Sequence, residues 1–538
     1  MGYALNKRDL IILLLTVASV LLVVLLETYS YYSPTQNPPS NETQLDETSN
    51  NNNVTSTTGE TNGPVLVKQN RPNISQYMCG FSPDGDNNFI REFSLPSSCS
   101  QPVGLAVDRT NKIWVAATLT GHLAIFDPTL KSFTDLIKIP NWKSEDLFGS
   151  MVWAMEFDTT GYLWFADQNN NAIWKYSPYE RKFEMYKIPT PGSYPSSIVI
   201  DSQGRIWFSE IFGKKIGLID PALTEHNTSK GISEYPVQGI EFETLGPISI
   251  SKNKDALWLT AVKYPEGGSI LKFDFQEKRF TVFNLSKGSA VPIGIVEDNS
   301  GKLWINDHAT NLFFSFDTVT KKIVKYSTSL PTSRNNTTTL PYWNLISNDN
   351  LWFNEHEGNA IAYFNIKNST LVEFKIPTGS EEWGNTSNPL KFTVDNFGSV
   401  WFTEWTENKL GLLDNNKLKN LPLVLNVSEN TVALSRATLD EKSIKVYVIP
   451  NQVELNDRVK MTAAGSMSPS GRLWNMTGEF NIKEFQLPIL KDSKKLAPYP
   501  LDFKIKPTKD LLPGNYTLTI GARYADVTYS KIINVIVT

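Results

Sequence analysis

The sequence predicts an all-β protein: a seven-bladed β-propeller followed by a C-terminal immunoglobulin-like β-sandwich, behind one N-terminal transmembrane helix. Three observations carry that expectation. A tryptophan-centred unit recurs seven times at intervals of 43 to 51 residues, and four-strand units of that size are the signature of propeller blades. Near residue 425 the repeat gives way to longer alternating strands that run to the C-terminus. Residues 10–26 are apolar or small and carry no charge, a stretch at the short end for crossing a bilayer.

That first segment follows Lys7 and Arg8, so residues 1–32 read as a cytoplasmic tip and membrane anchor. The protein is expected at the cell membrane, single-pass, with its bulk extracytoplasmic. The alternative is a cleaved signal peptide and a secreted protein. Residues 33–78 are rich in Asn, Ser and Thr and poor in aromatics, a composition that cannot bury enough apolar surface to fold, and they read as a disordered stalk. Asn-x-Ser/Thr sequons recur from Asn41 to Asn515, which suits a secreted surface. Cys79 and Cys99 are the only cysteines and are expected to pair in that oxidising setting. A net charge of −4 gives no nucleic-acid footprint. A monomer is expected.

Residues 79–420 hold the repeat. "NKIWVAAT" at Trp114 returns at Trp164, Trp207, Trp258, Trp304, Trp352 and Trp401, as in "GRIWFSEI" and "DNLWFNEH". A strand ending in Asp precedes five of these tryptophans (Asp108, Asp158, Asp201, Asp298, Asp395), which marks strand, tight turn, strand. Thirteen residues after Trp comes a second turn, for example at Asp127, Asp220 and Asp317, and then an alternating outer strand. The last unit has three convincing strands, while "FIREFSLP" at residues 89–96 is an orphan outer strand. Adding it to the seventh unit closes the ring and removes an open edge; "LKNLPL" is the competing candidate. Residues 425–538 read as the sandwich, with Tyr516 in "LPGNYTLTI" as a tyrosine-corner candidate.

The third residue after Trp is acidic in five units: Asp167, Glu210, Asp307, Glu355 and Glu404. The next residue is Gln168 in the second unit, His308 in the fifth, His356 in the sixth and Trp405 in the seventh. Two readings follow. Repetition favours an architectural acid that binds neighbouring backbone. The alternative is a site at the propeller mouth, where clustered carboxylates would need a cation. In that case Glu355, Glu404, Asp307 and Glu210 are the candidate ligands for Mg²⁺ (or Ca²⁺), and His356 and His308 are candidate catalytic bases. A small-molecule or surface ligand would sit at that mouth.

"DSQGRIWFSEIFGKKIGLIDP" (201–221) and "DNFGSVWFTEWTENKLGLLD" (395–414) resemble the repeats of the virginiamycin B lyase (streptogramin lyase) family, near the SMP-30/gluconolactonase-like propellers. The resemblance spans about residues 86–414. It implies a seven-bladed propeller that binds Mg²⁺ through glutamates, uses a histidine as general base and opens a cyclic depsipeptide by β-elimination. Carried over, Glu355 and Glu404 are the metal candidates, and His356 or His308 the base. Glu355 and His356 are adjacent where the family pattern has the pair two apart, and no histidine follows the prolines that open the units. The expected function is a membrane-anchored, extracytoplasmic, lyase-like enzyme acting on a cyclic ester. The alternatives are a non-catalytic surface-binding propeller and a metal-dependent lactonase.

Overall fold

The computed structural model describes residues 79–80, 82–142, 151–264, 266–285, 291–330, 338–451, 455–466, 476–487 and 497–538. The expected anchor and all of the expected stalk lie outside them. Among the described residues no helix is long and apolar enough to cross a membrane. Nearly every regular element is a strand.

Each repeat folds into one antiparallel sheet with its strands in sequence order. The third unit is representative, with strands Pro195–Ile200, Ile206–Glu210, Lys215–Ile219 and Ile232–Pro236. Its second strand is buried at every position, because both faces of the sheet are covered by neighbouring units; hence "IWFSE" is nearly continuous in apolar residues. The outer strand alternates and stays half-exposed. Gly217 lies opposite Phe208 in the register, and a Cβ there would come within 2.0 Å of the Phe208 ring. The Gly411–Phe402 pair repeats this in the seventh unit. In these two units the glycine of the "G-L" motif therefore makes room for the phenylalanine that follows the repeat tryptophan.

In the five units that have it, the aspartate before the tryptophan does two jobs. In the fifth unit one carboxylate oxygen of Asp298 accepts from the backbone N–H of Ser300 and Lys302, which closes the turn. The other oxygen accepts from Trp304 Nε1 at 2.8 Å. Asp108, Asp158, Asp201 and Asp395 hold their own tryptophans at 2.8–3.0 Å. In the fourth unit Ser251 takes the aspartate's place in the turn, accepting from the Asp255 and Ala256 N–H, and Glu297 of the next unit takes the Trp258 indole at 2.8 Å.

First strands of successive units lie side by side, and Pro102–Val107 neighbours both Met155–Phe157 and Pro389–Val394. The units therefore form a closed ring. The closing strand is Ile90–Ser94, paired antiparallel with Lys409–Leu413. The competing segment, residues 418–423, does not join this sheet: Leu418 ends a short helix, Asn415–Leu418, and Leu423 opens a strand of another sheet. A disulfide joins Cys79 and Cys99 on either side of the closing strand.

The C-terminal strands are continuous with the ring. The outer strand of the sixth unit, Thr370–Lys375, pairs with Val527–Val537, which pairs in turn with Gly514–Tyr524. A second sheet contains Leu423–Val427, Lys442–Pro450, Tyr499–Pro507 and Met476–Phe480. Val446, Phe503, Ile520 and Val535 from the two C-terminal sheets share one core with Phe374 and Phe402 of the ring. Thr517 and Thr519 also donate to backbone carbonyls of Lys325 and Ser327 on the fifth unit. This domain is docked by an edge pairing and a common core.

Asp298→Ala unpairs a buried indole N–H and two turn amides, so it is expected to cost about 3 kcal/mol in chemical denaturation, with Asp298→Asn losing less. A chain ending at residue 420 exposes the Thr370–Lys375 edge and part of that core. It is expected to aggregate in size-exclusion chromatography, where the full chain stays monodisperse.

Candidate functional site

The five acids lie at the last position of their strands and are all buried: Asp167, Glu210, Asp307 and Glu404 at 0% exposure and Glu355 at 2%. They do not converge on the mouth. Side chains alternate along a strand, so Glu355 shares a face with Phe353, the face that packs between units. Asp167 accepts from Trp174 Nε1 at 2.9 Å and from the backbone of Asn170. Asp307 accepts from the Val291 N–H at 2.8 Å and senses Lys325 on the outer strand of its own unit.

The three glutamates share a plan. Each meets a second glutamate on its unit's outer strand, at the register position opposite Gly217, Ala362 or Gly411: Glu234, Glu373 and Glu92. In the third and seventh units a lysine opens the intervening strand. Lys215 Nζ lies 2.8 Å from Glu234, and Lys409 Nζ lies 3.1 Å from Glu92. In the sixth unit Ala360 occupies that position, opposite Glu355. The counter-charge there is Arg523 of the C-terminal domain, which reaches Glu373 through the register Glu373–Thr528–Arg523.

Burial, then Glu234, pushes Glu210 up to about 8. Burial, then Glu373, raises Glu355. Burial and Glu92 raise Glu404, against the pull of Lys409. Among the described residues no three His, Cys, Asp or Glu side chains gather where they could hold a metal ion. The expected ligand set of Glu355, Glu404, Asp307 and Glu210 is thus divided among four units.

The histidines behave differently. The strand ends at the acid, and the next N–H turns to the segment that opens its own unit: His308 to Val291 O and His356 to Leu340 O. The two imidazoles therefore leave the glutamate face and meet across the junction of the fifth and sixth units, stacked at 5.5 Å and 7°. His308 also packs 4.6 Å from the Tyr342 ring, and Tyr342 lies 6.1 Å from Trp153. Burial pushes His308 down to about 4 and, with His308 as neighbour, holds His356 well below its ordinary value. Both are neutral at pH 7.

The side chain of Asn388 approaches His356, and the backbone of Leu340 and Pro341 approaches His308. Neither approach reaches hydrogen-bond geometry, and all four ring nitrogens lack a partner among the described residues. Gln168 Nε2 and Trp405 Nε1, at the same repeat position, are likewise buried and unpartnered, as is Trp153 Nε1. An unmet buried polar atom costs about 1–3 kcal/mol, so such a concentration marks a place for water or ligand. His308, His356, Gln168 and Trp405 are marked in the sequence by their phase in the repeat. Phase alone misses Tyr342 and Trp153, and also Glu156 and Lys391, which lie within first strands. A charge inside an otherwise small or apolar first strand, as in "NPLKFTV", was the available signal.

No protein-family model matches the chain, and no characterised protein matches it by sequence. Solved structures do. A streptogramin B lyase is 23% identical over 61% of this chain and 97% of its own, with a TM-score of 0.50. Virginiamycin B lyase from Staphylococcus aureus is 22% identical over 60% and 98%, with a TM-score of 0.49. A catalytically inactive form of that enzyme with quinupristin is 21% identical over 60% and 98%, also at 0.49. At such identity the likeness to the streptogramin B lyase establishes the fold, a β-propeller.

Because the folded-state Glu210 carboxyl is raised, its contribution to stability is complete below about 4.5 and is lost as pH rises toward about 8. His308 is depressed and has the opposite sense: its contribution is present above 6.5 and lost as pH falls toward about 4. Glu210→Gln is therefore expected to flatten the decline of Tm between pH 5 and 8, measured by scanning calorimetry with wild type alongside.

Proposed function

We propose that this chain is an extracytoplasmic recognition protein: a seven-bladed propeller with an immunoglobulin-like sandwich, anchored through residues 10–26. Its ligand binds where His308 and His356 stack. The observation that carries this reading is the set of four unpartnered imidazole nitrogens beside Tyr342 and Trp153. A neutral imidazole offers one donor and one acceptor, and the aromatic rings offer apolar faces. That combination suits a neutral, hydrogen-bonding ligand such as a glycan or peptide segment. The hydrogen bond from Tyr516 Oη to Leu512 O, 2.9 Å, supports the immunoglobulin-like assignment, since it has the form of a tyrosine corner.

A second reading is a lyase acting by β-elimination on a cyclic ester. It is favoured by the fold and by a neutral imidazole that could accept a proton. The donor set does not fit a divalent ion: Glu210 and Glu404 each face a lysine-bound partner, and Glu355 faces Glu373. No step through Mg²⁺ or Ca²⁺ is derived for the lyase or the lactonase. An imidazole held near 4 is also a weak base at neutral pH.

Two measurements separate these readings. Metal-stripped protein titrated with millimolar Mg²⁺ or Ca²⁺ is expected to keep its Tm; a rise abolished by Glu355→Gln would select the metal-dependent enzymes. On a glycan and peptide array, His356→Ala is expected to weaken the wild-type hits at least tenfold, about 1.4 kcal/mol. A linear product from a cyclic depsipeptide, formed without solvent oxygen, would select the lyase.

A further inference from the structure

The ring encloses a cavity of about 580 Å³, lined by the first strands of all seven units. That is the size of a small-ligand pocket. One residue per unit lies opposite the repeat tryptophan: Ala106, Glu156, Val199, Ser249, Val296, Leu345 and Thr393. Glu156 is the one charge in this tier. Lys391 sits in the bulge of its strand, between Pro389 and Phe392, and lines the same channel. The second and seventh units thus bring one acid and one amine into the channel, and the unit between them contributes only small and apolar groups such as Ala106.

Neither charge has a counter-ion in contact, although the Glu156 carboxyl meets the Ile200 backbone. Lys391 is 7% exposed, and its Nζ lies over the Trp343 ring, 2.7 Å from the centroid. It has no hydrogen-bond acceptor among the described residues. Glu156 and Lys391 sense one another but form no direct ion pair. Burial pushes Glu156 up to about 7 and holds Lys391 well below the ordinary lysine range. Buried charges without close partners are costly.

We propose that the channel is a second ligand site, separate from the buried histidine pair, which takes a small zwitterion of the α-amino acid class. The ligand carboxylate pairs with Lys391 and its ammonium with Glu156, while an apolar side chain lies against Trp343 and Val296. Such a molecule supplies both missing counter-charges at once; a simple anion or cation supplies one and meets repulsion from the other group.

The test is calorimetric titration of the full chain with L-leucine, leucine amide, which lacks the carboxylate, and 4-methylpentanoate, which lacks the ammonium. Leucine is expected to bind at least tenfold more tightly than either, since each analogue leaves one charge-assisted hydrogen bond unmade. Lys391→Met should abolish the preference for leucine over its amide, and Glu156→Gln the preference over 4-methylpentanoate. Ser249→Leu, which fills the channel and leaves both charges in place, should remove binding altogether, with Tm reporting that each variant folds. No heat with leucine, indicating that only water bridges the two groups, would overturn the proposal. So would leucine affinity that all three variants leave unchanged.

Discussion

Closure of the ring is the constraint on which everything else depends. Each sheet buries both faces against its neighbours, so one missing outer strand would expose a sheet edge and break the cycle. The chain meets this by returning residues from before the first repeat, Ile90–Ser94, to the last sheet. That strand carries Glu92, which becomes the partner of Lys409 in a fully buried pair. The chemistry inside the seventh unit is thus a consequence of how the ring is joined.

The buried acids belong to the same logic. In the third and seventh units one lysine serves the clustered glutamates within a single sheet: Lys215 pairs with Glu234, and Lys409 with Glu92 and Glu407. The sixth unit lacks that lysine, and it is also where the C-terminal domain adds its strands to the outer edge. Arg523 arrives with those strands. Both carboxyls are raised by burial, and the Arg523 charge that opposes this at Glu373 comes from the domain that extends the sheet. This differs from the spacer role suggested by its plain sequence.

The repeat was legible because its causes are local and recur. Trp304 and Asp298 stand six residues apart in one hairpin, so their hydrogen bond follows from the turn itself. Gly217 and Phe208 face each other across one strand pair. The functional reading was only half legible. The phase that grouped Glu355 with Glu404 is real, but phase puts residues at equivalent positions without making them neighbours. Equivalent acids in a ring point into equivalent gaps between sheets, each to its own partner.

The sequence alone therefore determined the all-β class, the unit length, the turn chemistry and the pairing of tryptophan with aspartate, because each is decided within about ten residues of chain. Tertiary structure decided which side chains meet. His308 and His356 are 48 residues apart, and they stack because the strand stops at the acid and the next amide bonds back to its unit's opening segment. Glu156 and Lys391 share a channel only because the ring brings the second and seventh units around to flank the first. Arg523 reaches Glu373 only through an edge pairing of strands. Such encounters depend on closure and docking, and no local pattern encodes them.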